Sequence, residues 1–555
     1  MTPYKPPRKA CDLCYRKKIK CDTQRPRCSN CLVYDSPCTF EAVSRKRRAR
    51  KQTLNSEETE ALHSRLKELE QNLSQALAKI EQLESNKPRN PRSPSQSPIL
   101  LESLLQRDAQ LGEAFDIGDR PSLDLPPLYE ALPAVERYLA TLNSVLPLFH
   151  PGRLLNSLKG LYAARSQSHC ATWAAINVVL ALAHSSQASR HMASHYLNKA
   201  QMVLTEVIMG EADIINVQVL LGLALLFQAA RDLKPAAMII AIALRLAHEL
   251  GLHSSARSEG LNSSATMERN RVFWIAYILD RDISLRTGQP PVQLETDIDI
   301  NLPPADPEDE AGLVFAGDGT SRFNFFRARV QLARIQGKVY ENMYSVRARS
   351  LDVHHKNDNL GELRRMLDDW VSQIPWQFRP NAVPRTCGSE TLRSFGVLYS
   401  THLACRALIC RAHAMDPPWL QSLQEFGGKT LQRRITEPVA LPQGWQKLVT
   451  ESRDYMRLFM GVERKDPAFI WMTGCTYITG SICLIANNML YPHNDTLKYD
   501  QWLAERSLPL LDEMLQQKPY EPLRKIRNAC RELLQLAYNI SLQNEFLQFE
   551  PTLWE

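Results

Sequence analysis

A doubled cysteine unit near the N-terminus constrains this chain more than any other feature. Cys11-x2-Cys14-x6-Cys21 is followed six residues later by Cys28-x2-Cys31-x6-Cys38. Each half predicts two thiolates on one helical turn and a third brought back across a loop. Tetrahedral zinc takes four sulfurs at about 2.3 Å, so three per half leave each metal one short. Two zinc ions still gain four ligands each if two thiolates bridge. Cys11 and Cys28 are equivalent in the repeat and are the natural bridges. Disulfides, or one four-cysteine site with two spare thiols, are the competing readings, and neither explains the repeat. A segment of about 40 residues rarely folds without metals or cross-links. Zinc binding is therefore expected to be the folding step of residues 1–42.

Charge singles out the same end. Residues 1–55 carry 15 Lys and Arg against 4 Asp and Glu, a balance of +11, whereas the whole chain carries +7. A basic head on a mildly acidic body predicts a polyanion partner for the head alone. The basic residues are unequally shared between the cysteine halves. Arg16, Lys17, Lys18 and Lys20 lie between Cys14 and Cys21, while no Lys or Arg lies between Cys31 and Cys38. The first half is thus expected to face DNA and the second to complete the fold. A short basic helix suits the major groove, where Lys donates to guanine O6 and N7. Met1 to Lys20 contains no apolar signal region, so a reducing compartment is expected, where clustered cysteines favour metal over disulfides.

Residues 8–40 resemble the fungal zinc binuclear cluster transcription factors. The matching elements are Cys11-Asp12-x-Cys14, Arg16-Lys17-Lys18-Ile19-Lys20-Cys21-Asp22, Pro26-x-Cys28, Cys31 and Cys38. The resemblance implies two zinc ions bridged by Cys11 and Cys28. It implies base contacts from Lys17 and Lys18, usually to CGG-like triplets, and a loop proline at Pro26. Tyr15 departs from the basic residue usual after the second cysteine.

Beyond the cluster, residues 43–55 form a basic linker containing Arg45, Lys46, Arg47 and Arg48. This run reads as nuclear import and phosphate contact. Residues 56–85 fit a heptad helix. Leu66, Leu73 and Ile80 occupy position a; Leu62, Leu69, Ala76 and Leu83 occupy position d. Arg65 and Lys79 at g face Glu70 and Glu84 at e, which favours a parallel homodimer. Packing of this helix on the large domain is the bland alternative. Against it stands the spacer that follows: residues 86–125 begin with a Pro/Ser-rich stretch holding Pro88, Pro91, Pro94 and Pro98.

Residues 126–555 are rich in Leu, Ala and Ile at helical spacing, for example Val217 to Ala230, Ala236 to Leu250 and Arg271 to Leu285. A large all-α domain is expected. Leu146-Pro147-Leu148-Phe149-His150-Pro151 and Ala247-His248-Glu249-Leu250-Gly251-Leu252-His253 resemble signatures of the fungal-specific transcription factor domain. So do Glu268-Arg269-x-Arg271-x-Phe273-Trp274-x-x-Tyr277-x-x-Asp280-Arg281, Gly288-Gln289-Pro290 and Asp297-Ile298-Asp299, with Asn270 interrupting the usual arginine run. The likeness covers about residues 125–310 and implies a regulatory domain of helices continuing toward the C-terminus.

The cluster from Glu268 to Arg281 reads as a buried ion-pair network, and His248, His253, His354 and His355 as structural or surface residues. Cys170, Cys387, Cys405, Cys410, Cys475, Cys483 and Cys530 read as small core residues. Ala468 to Asn494 has no Asp, Glu, Lys or Arg but many Thr, Ser, Gly and Asn. That pattern favours a buried helix over a membrane span. The segment from Glu545 to Glu555 interleaves acids with Phe, Leu and Trp, as activation segments do.

The sequence thus predicts a mainly α protein: a two-zinc DNA-binding module, a short coiled coil and a helical regulatory domain. Its expected role is a nuclear, dimeric regulator of RNA polymerase II genes, of a metabolic or secondary-metabolite set. Double-stranded DNA, a second copy and the transcription machinery are the expected partners, and a small-molecule inducer remains open. No catalytic motif is recognisable, so no enzymatic role is expected. The alternative is a ligand-binding or enzymatic helical domain with an appended zinc module.

Overall fold

The computed structural model describes residues 10–40, 125–163, 170–185, 189–228, 232–411, 417–432, 441–462, 467–517 and 521–549. They divide between two units, Met1–Ile117 and Gly118–Glu555. The basic run Arg45 to Arg48 and the heptad helix with Leu62, Leu66, Leu69, Leu73, Ile80 and Leu83 lie outside the described residues.

In the first unit, α1 (Asp12–Lys17) and α2 (Ser29–Val33) are far too short to be stable on their own. The fully buried side chains here are Cys11, Cys14, Cys28 and Cys31, joined by Leu13. Sulfur rather than hydrocarbon fills the centre, as expected of a module whose core is a metal site.

The second unit is almost entirely helical and has two hydrophobic cores. The first gathers α3 (Cys170–Ala183), α4 (Ile214–Gln228), α5 (Lys234–Glu249) and α6 (Ser263–Thr287). α4 carries apolar residues on every side, is buried throughout its middle, and is accordingly central. It passes so near α3 that a Cβ on Gly222 would meet Val178 Cγ1 at 2.3 Å. α5 ends two residues before Gly251, whose φ of +67° suits glycine and whose missing side chain leaves room for Arg257. α6 starts on Asn262, which accepts from the Ala265 amide at 2.8 Å.

The second core is built by α7 (Phe325–Val339), α8 (Ser389–Ile409), α9 (Trp445–Gly461), α10 (Pro467–Leu490) and α11 (Glu521–Phe549). α7 joins the two: Phe326, Val330 and Ala333 enter the first core, while Phe325, Ala328 and Leu332 enter the second. α10 is long and apolar enough to cross a membrane, yet most of it is buried inside this fold. Its polar residues are used internally. Thr473 and Thr479 donate to carbonyls one turn back, Ser481 bonds Ser507 at 2.9 Å, and Asn487 accepts from Trp445 Nε1.

One element departs from the expected all-helical pattern. A small antiparallel hairpin, β1 (Leu313–Phe315) and β2 (Arg322–Asn324), pairs Val314 with Phe323. Asp318 closes its turn by accepting from the Thr320 and Ser321 amides. At the other end, the backbone of α11 remains helical through Phe549 and so includes the start of the acidic-hydrophobic segment.

Candidate metal centre and nucleic-acid interface

The doubled sequence produces a doubled backbone. Cys11 and Cys28 stand at the N-caps of α1 and α2, and Cys14 and Cys31 lie one turn inside. The Ile19 amide donates to the Cys14 carbonyl and the Ser36 amide to the Cys31 carbonyl, both at 3.0 Å. Lys18 and Asp35, equivalent in the repeat, both take positive φ, 56° and 39°. Each half therefore winds one turn, reverses, and returns its third cysteine toward the centre.

The thiols converge as this pattern requires. Cys11 Sγ lies 3.7 Å from Cys28 Sγ and 3.6 Å from Cys31 Sγ, and Cys14 Sγ lies 3.7 Å from Cys28 Sγ. All these cysteines are free. Two quartets form, each with its four sulfurs within 4.8 Å of one another: Cys11, Cys14, Cys21, Cys28 and Cys11, Cys28, Cys31, Cys38. Cys11 and Cys28 belong to both. Four sulfurs about 2.3 Å from a tetrahedral zinc stand about 3.8 Å apart, close to the spacings found. The donor set thus fits two zinc ions. Burial and its thiol neighbours push Cys14 up to about 12. Cys28 is held below the ordinary thiol range by hydrogen bonding with Cys31 against the cost of burial.

Side chains to which the sequence assigned no role hold the module closed. Asp22 accepts from the Ser29 amide and hydroxyl, which keeps its carboxyl below the usual range. Asn30 donates to the Lys20 carbonyl at 2.8 Å and to Cys14 Sγ at 3.5 Å. Thr39 and Asp12 tie the two ends through two further bonds. A sequence signal existed for Asp22, placed directly after Cys21 and able to cap the second helix. None existed for Asn30.

Arg16, Lys17, Lys18 and Lys20 are all exposed. Only Arg16 and Lys17 lie on α1. Lys18 caps it in the left-handed conformation and Lys20 lies beyond the helix, because the backbone must reverse to return Cys21. Lys17 Nζ sits 3.8 Å from the Tyr34 ring centroid, a cation–π contact with the second half. The second half presents Leu32, Val33 and Tyr34 instead of cations.

In the helical unit, the charged signature on α6 braces the chain. Asp280 accepts from the Val292 and Gln293 amides and from Arg281, which donates to the Gln293 carbonyl at 2.8 Å. Arg271 grips Asp309 with two bonds of 2.6 Å, and Arg153 pairs with Glu268. Trp274 reaches the Asn301 carbonyl, Tyr277 reaches Glu295, and His248 meets Gln293. His354 and His355 are exposed and pair with Asp358 and Asp352.

A two-zinc sulfur cluster with an exposed basic helix, carried with a large helical unit, defines a zinc-cluster transcription regulator. Residues 9–48 match the fungal Zn(2)-Cys(6) binuclear cluster domain, and residues 135–372 match the fungal specific transcription factor domain. The chain belongs to the fungal Zn(2)-Cys(6) transcription factors, and its binuclear cluster domain binds two zinc ions. It is similar to the ABC-transporter-regulating transcription factors of Aspergillus fumigatus, 27% identical, and Aspergillus oryzae, 26% identical. Each comparison covers 95% of this chain and 73% of the relative. The fusaridione A cluster transcription factor of Fusarium heterosporum is 26% identical over 52% of this chain and 56% of its own length. The match to the larger domain extends past the signatures near residue 310 to residue 372, in the middle of the second core.

Proposed function

We propose that this protein binds CGG-like half-sites as a homodimer in the nucleus and regulates RNA polymerase II genes. Two thiol quartets that share Cys11 and Cys28, beside an exposed basic surface, carry the reading. Cys11, Cys14, Cys21, Cys28, Cys31 and Cys38 would hold the two zinc ions, which cross-link the halves and supply the core that the module lacks in hydrocarbon. Asp22, Asn30 and Thr39 then keep both helices in register. Lys17 and Lys18 reach base edges, while Arg16 and Lys20 contact phosphates. Release of Lys17 from Tyr34 precedes or accompanies that contact.

Arg45, Lys46, Arg47 and Arg48 add phosphate contacts and nuclear import. The heptad through Leu62, Leu66, Leu69, Leu73, Ile80 and Leu83 supplies the dimer. Relatives named for ABC-transporter regulation and for a fusaridione cluster support a target set of transport or metabolic genes. Selection of bound sequences from random DNA by the full-length protein should return paired CGG-like triplets. Lys18→Ala should erase the triplet preference. An unchanged preferred sequence would overturn the assignment of Lys18.

A further inference from the structure

Two adjoining cavities lie where the two cores of the helical unit meet. One, of about 270 Å³, is bounded by Leu225 on α4, Ile278 on α6 and Phe325 on α7. The other, of about 490 Å³, is bounded by Ala404 on α8, Trp471 on α10 and Ile526 on α11. Gln228, Asp282, Val397 and Met472 line both and form the wall between them. Taken together the two fall within the roughly 300–1,000 Å³ usual for ligand pockets, which favour such junctions.

The lining is apolar with a few polar groups, and those groups are biased in charge. Arg286, Arg329 and Arg393 stand against the lone acid Asp282. Asp282 is taken up by Arg329 and by Gln336, which donates at 3.0 Å. Two donors are left poorly served. Gln228 Nε2 is buried with no hydrogen-bond partner. Arg286 reaches the Gln228 and Trp471 carbonyls only at 3.4 Å.

Arg286 and Cys475 both carry accessible surface, yet burial lowers the Arg286 guanidinium and pushes the Cys475 thiol up to about 11. Both side chains border the second cavity. A buried amide N–H without an acceptor, beside a guanidinium held only by two long bonds, is costly unless an occupant serves it.

We propose that the paired cavities bind a hydrophobic organic acid, with its apolar body between the two cores and its anionic head on Arg286 and Gln228. Because the walls come from both cores, an occupant ties them together. This gives the helical unit a ligand-dependent rigidity.

The test uses the full-length, zinc-loaded protein and two fluorescent probes of similar apolar shape. One is the anion 1-anilinonaphthalene-8-sulfonate; the other is neutral N-phenyl-1-naphthylamine. One sulfonate probe should bind per chain, saturably, and about tenfold tighter than the neutral probe, as a charge-assisted hydrogen bond provides. Arg286→Met should weaken the sulfonate about tenfold and leave the neutral probe within about twofold. Ala404→Phe or Val397→Phe should weaken both probes by filling the space. Circular dichroism and DNA binding should stay unchanged, which separates occupancy from misfolding. Absence of saturable binding, or binding that both phenylalanine variants leave intact, would overturn the site. Equal affinity for the two probes, unaltered by Arg286→Met, would overturn the acidic head.

Discussion

Gly222 offers a direct test of how the first core is packed. A Cβ placed there lies 2.3 Å from Val178 Cγ1, against about 3.4 Å for ordinary contact. Gly222→Ala therefore forces α3 and α4 apart or drives Val178 off its rotamer. Overpacking of this kind costs about 1–3 kcal/mol. The gain in helix propensity from glycine to alanine offsets about 1 kcal/mol. With an overlap this deep the upper end of the range applies, leaving about 2 kcal/mol of net loss. Gly160 is the control, since it lies at an exposed position of the helix Pro151–Ala163 with nothing within 4 Å of its would-be Cβ. Gly160→Ala should stabilise by about 0.5–1 kcal/mol.

Val178→Ala alone removes two buried methyl groups and costs about 2 kcal/mol. Combined with Gly222→Ala it vacates the space the new methyl needs. The pair should be about 2 kcal/mol more stable than the sum of its parts. Native-state hydrogen exchange of the α3 and α4 amides reads these differences locally, without assuming that so large a chain unfolds in one step. Protection of α4 in Gly222→Ala equal to that of the wild type, or Val178→Ala adding its full cost to the double variant, would refute the packing argument.

Further outcomes follow from the same structure. His402 is buried against Trp370 and burial lowers it to about 4 from 6.5, so it folds neutral. Its contribution is present above pH 6.5 and is lost as pH falls toward 4, about 3 kcal/mol in all. His402→Phe should flatten stability across that window in urea titrations, and an unchanged slope would sink the assignment. Replacing Arg47 and Arg48 with alanine should weaken binding to all DNA alike and shallow the salt dependence by about one to two units of slope, measured by anisotropy. A change in sequence preference would assign those residues to bases instead. Leu69→Asp with Leu73→Asp should leave zinc content intact but yield single chains on single half-sites in sedimentation, since burying charges in a short seam costs several kcal/mol. Dimers surviving the double substitution would place the contact elsewhere.

The cysteine spacing was legible because its periodicity is local: each half needs only one turn and one reversal. The helices from Ile214 to Thr287 were legible for the same reason, since apolar spacing and stop signals such as Gly251 act within a turn or two. The role of α10 was also readable, because threonines and asparagines in an apolar stretch imply partners inside a protein. Lys18 leaving the helix was not legible, as it depends on the return path of Cys21. The hairpin at Leu313–Asn324 has strands too short to show alternation. The cavities were invisible to any window, because Gln228, Arg286, Val397 and Ile526 meet only through packing. The equal burial of every face of α4 likewise hid which helix it would touch.

Native mass spectrometry of the full-length protein, with thiols counted after denaturation, tests the central claim most directly. Two zinc ions per chain, every N-terminal cysteine recovered as a free thiol after chelation, and simultaneous loss of both metals in Cys28→Ala are the predicted result. One zinc per chain, or disulfides among Cys11 to Cys38, would contradict a binuclear cluster that shares Cys11 and Cys28.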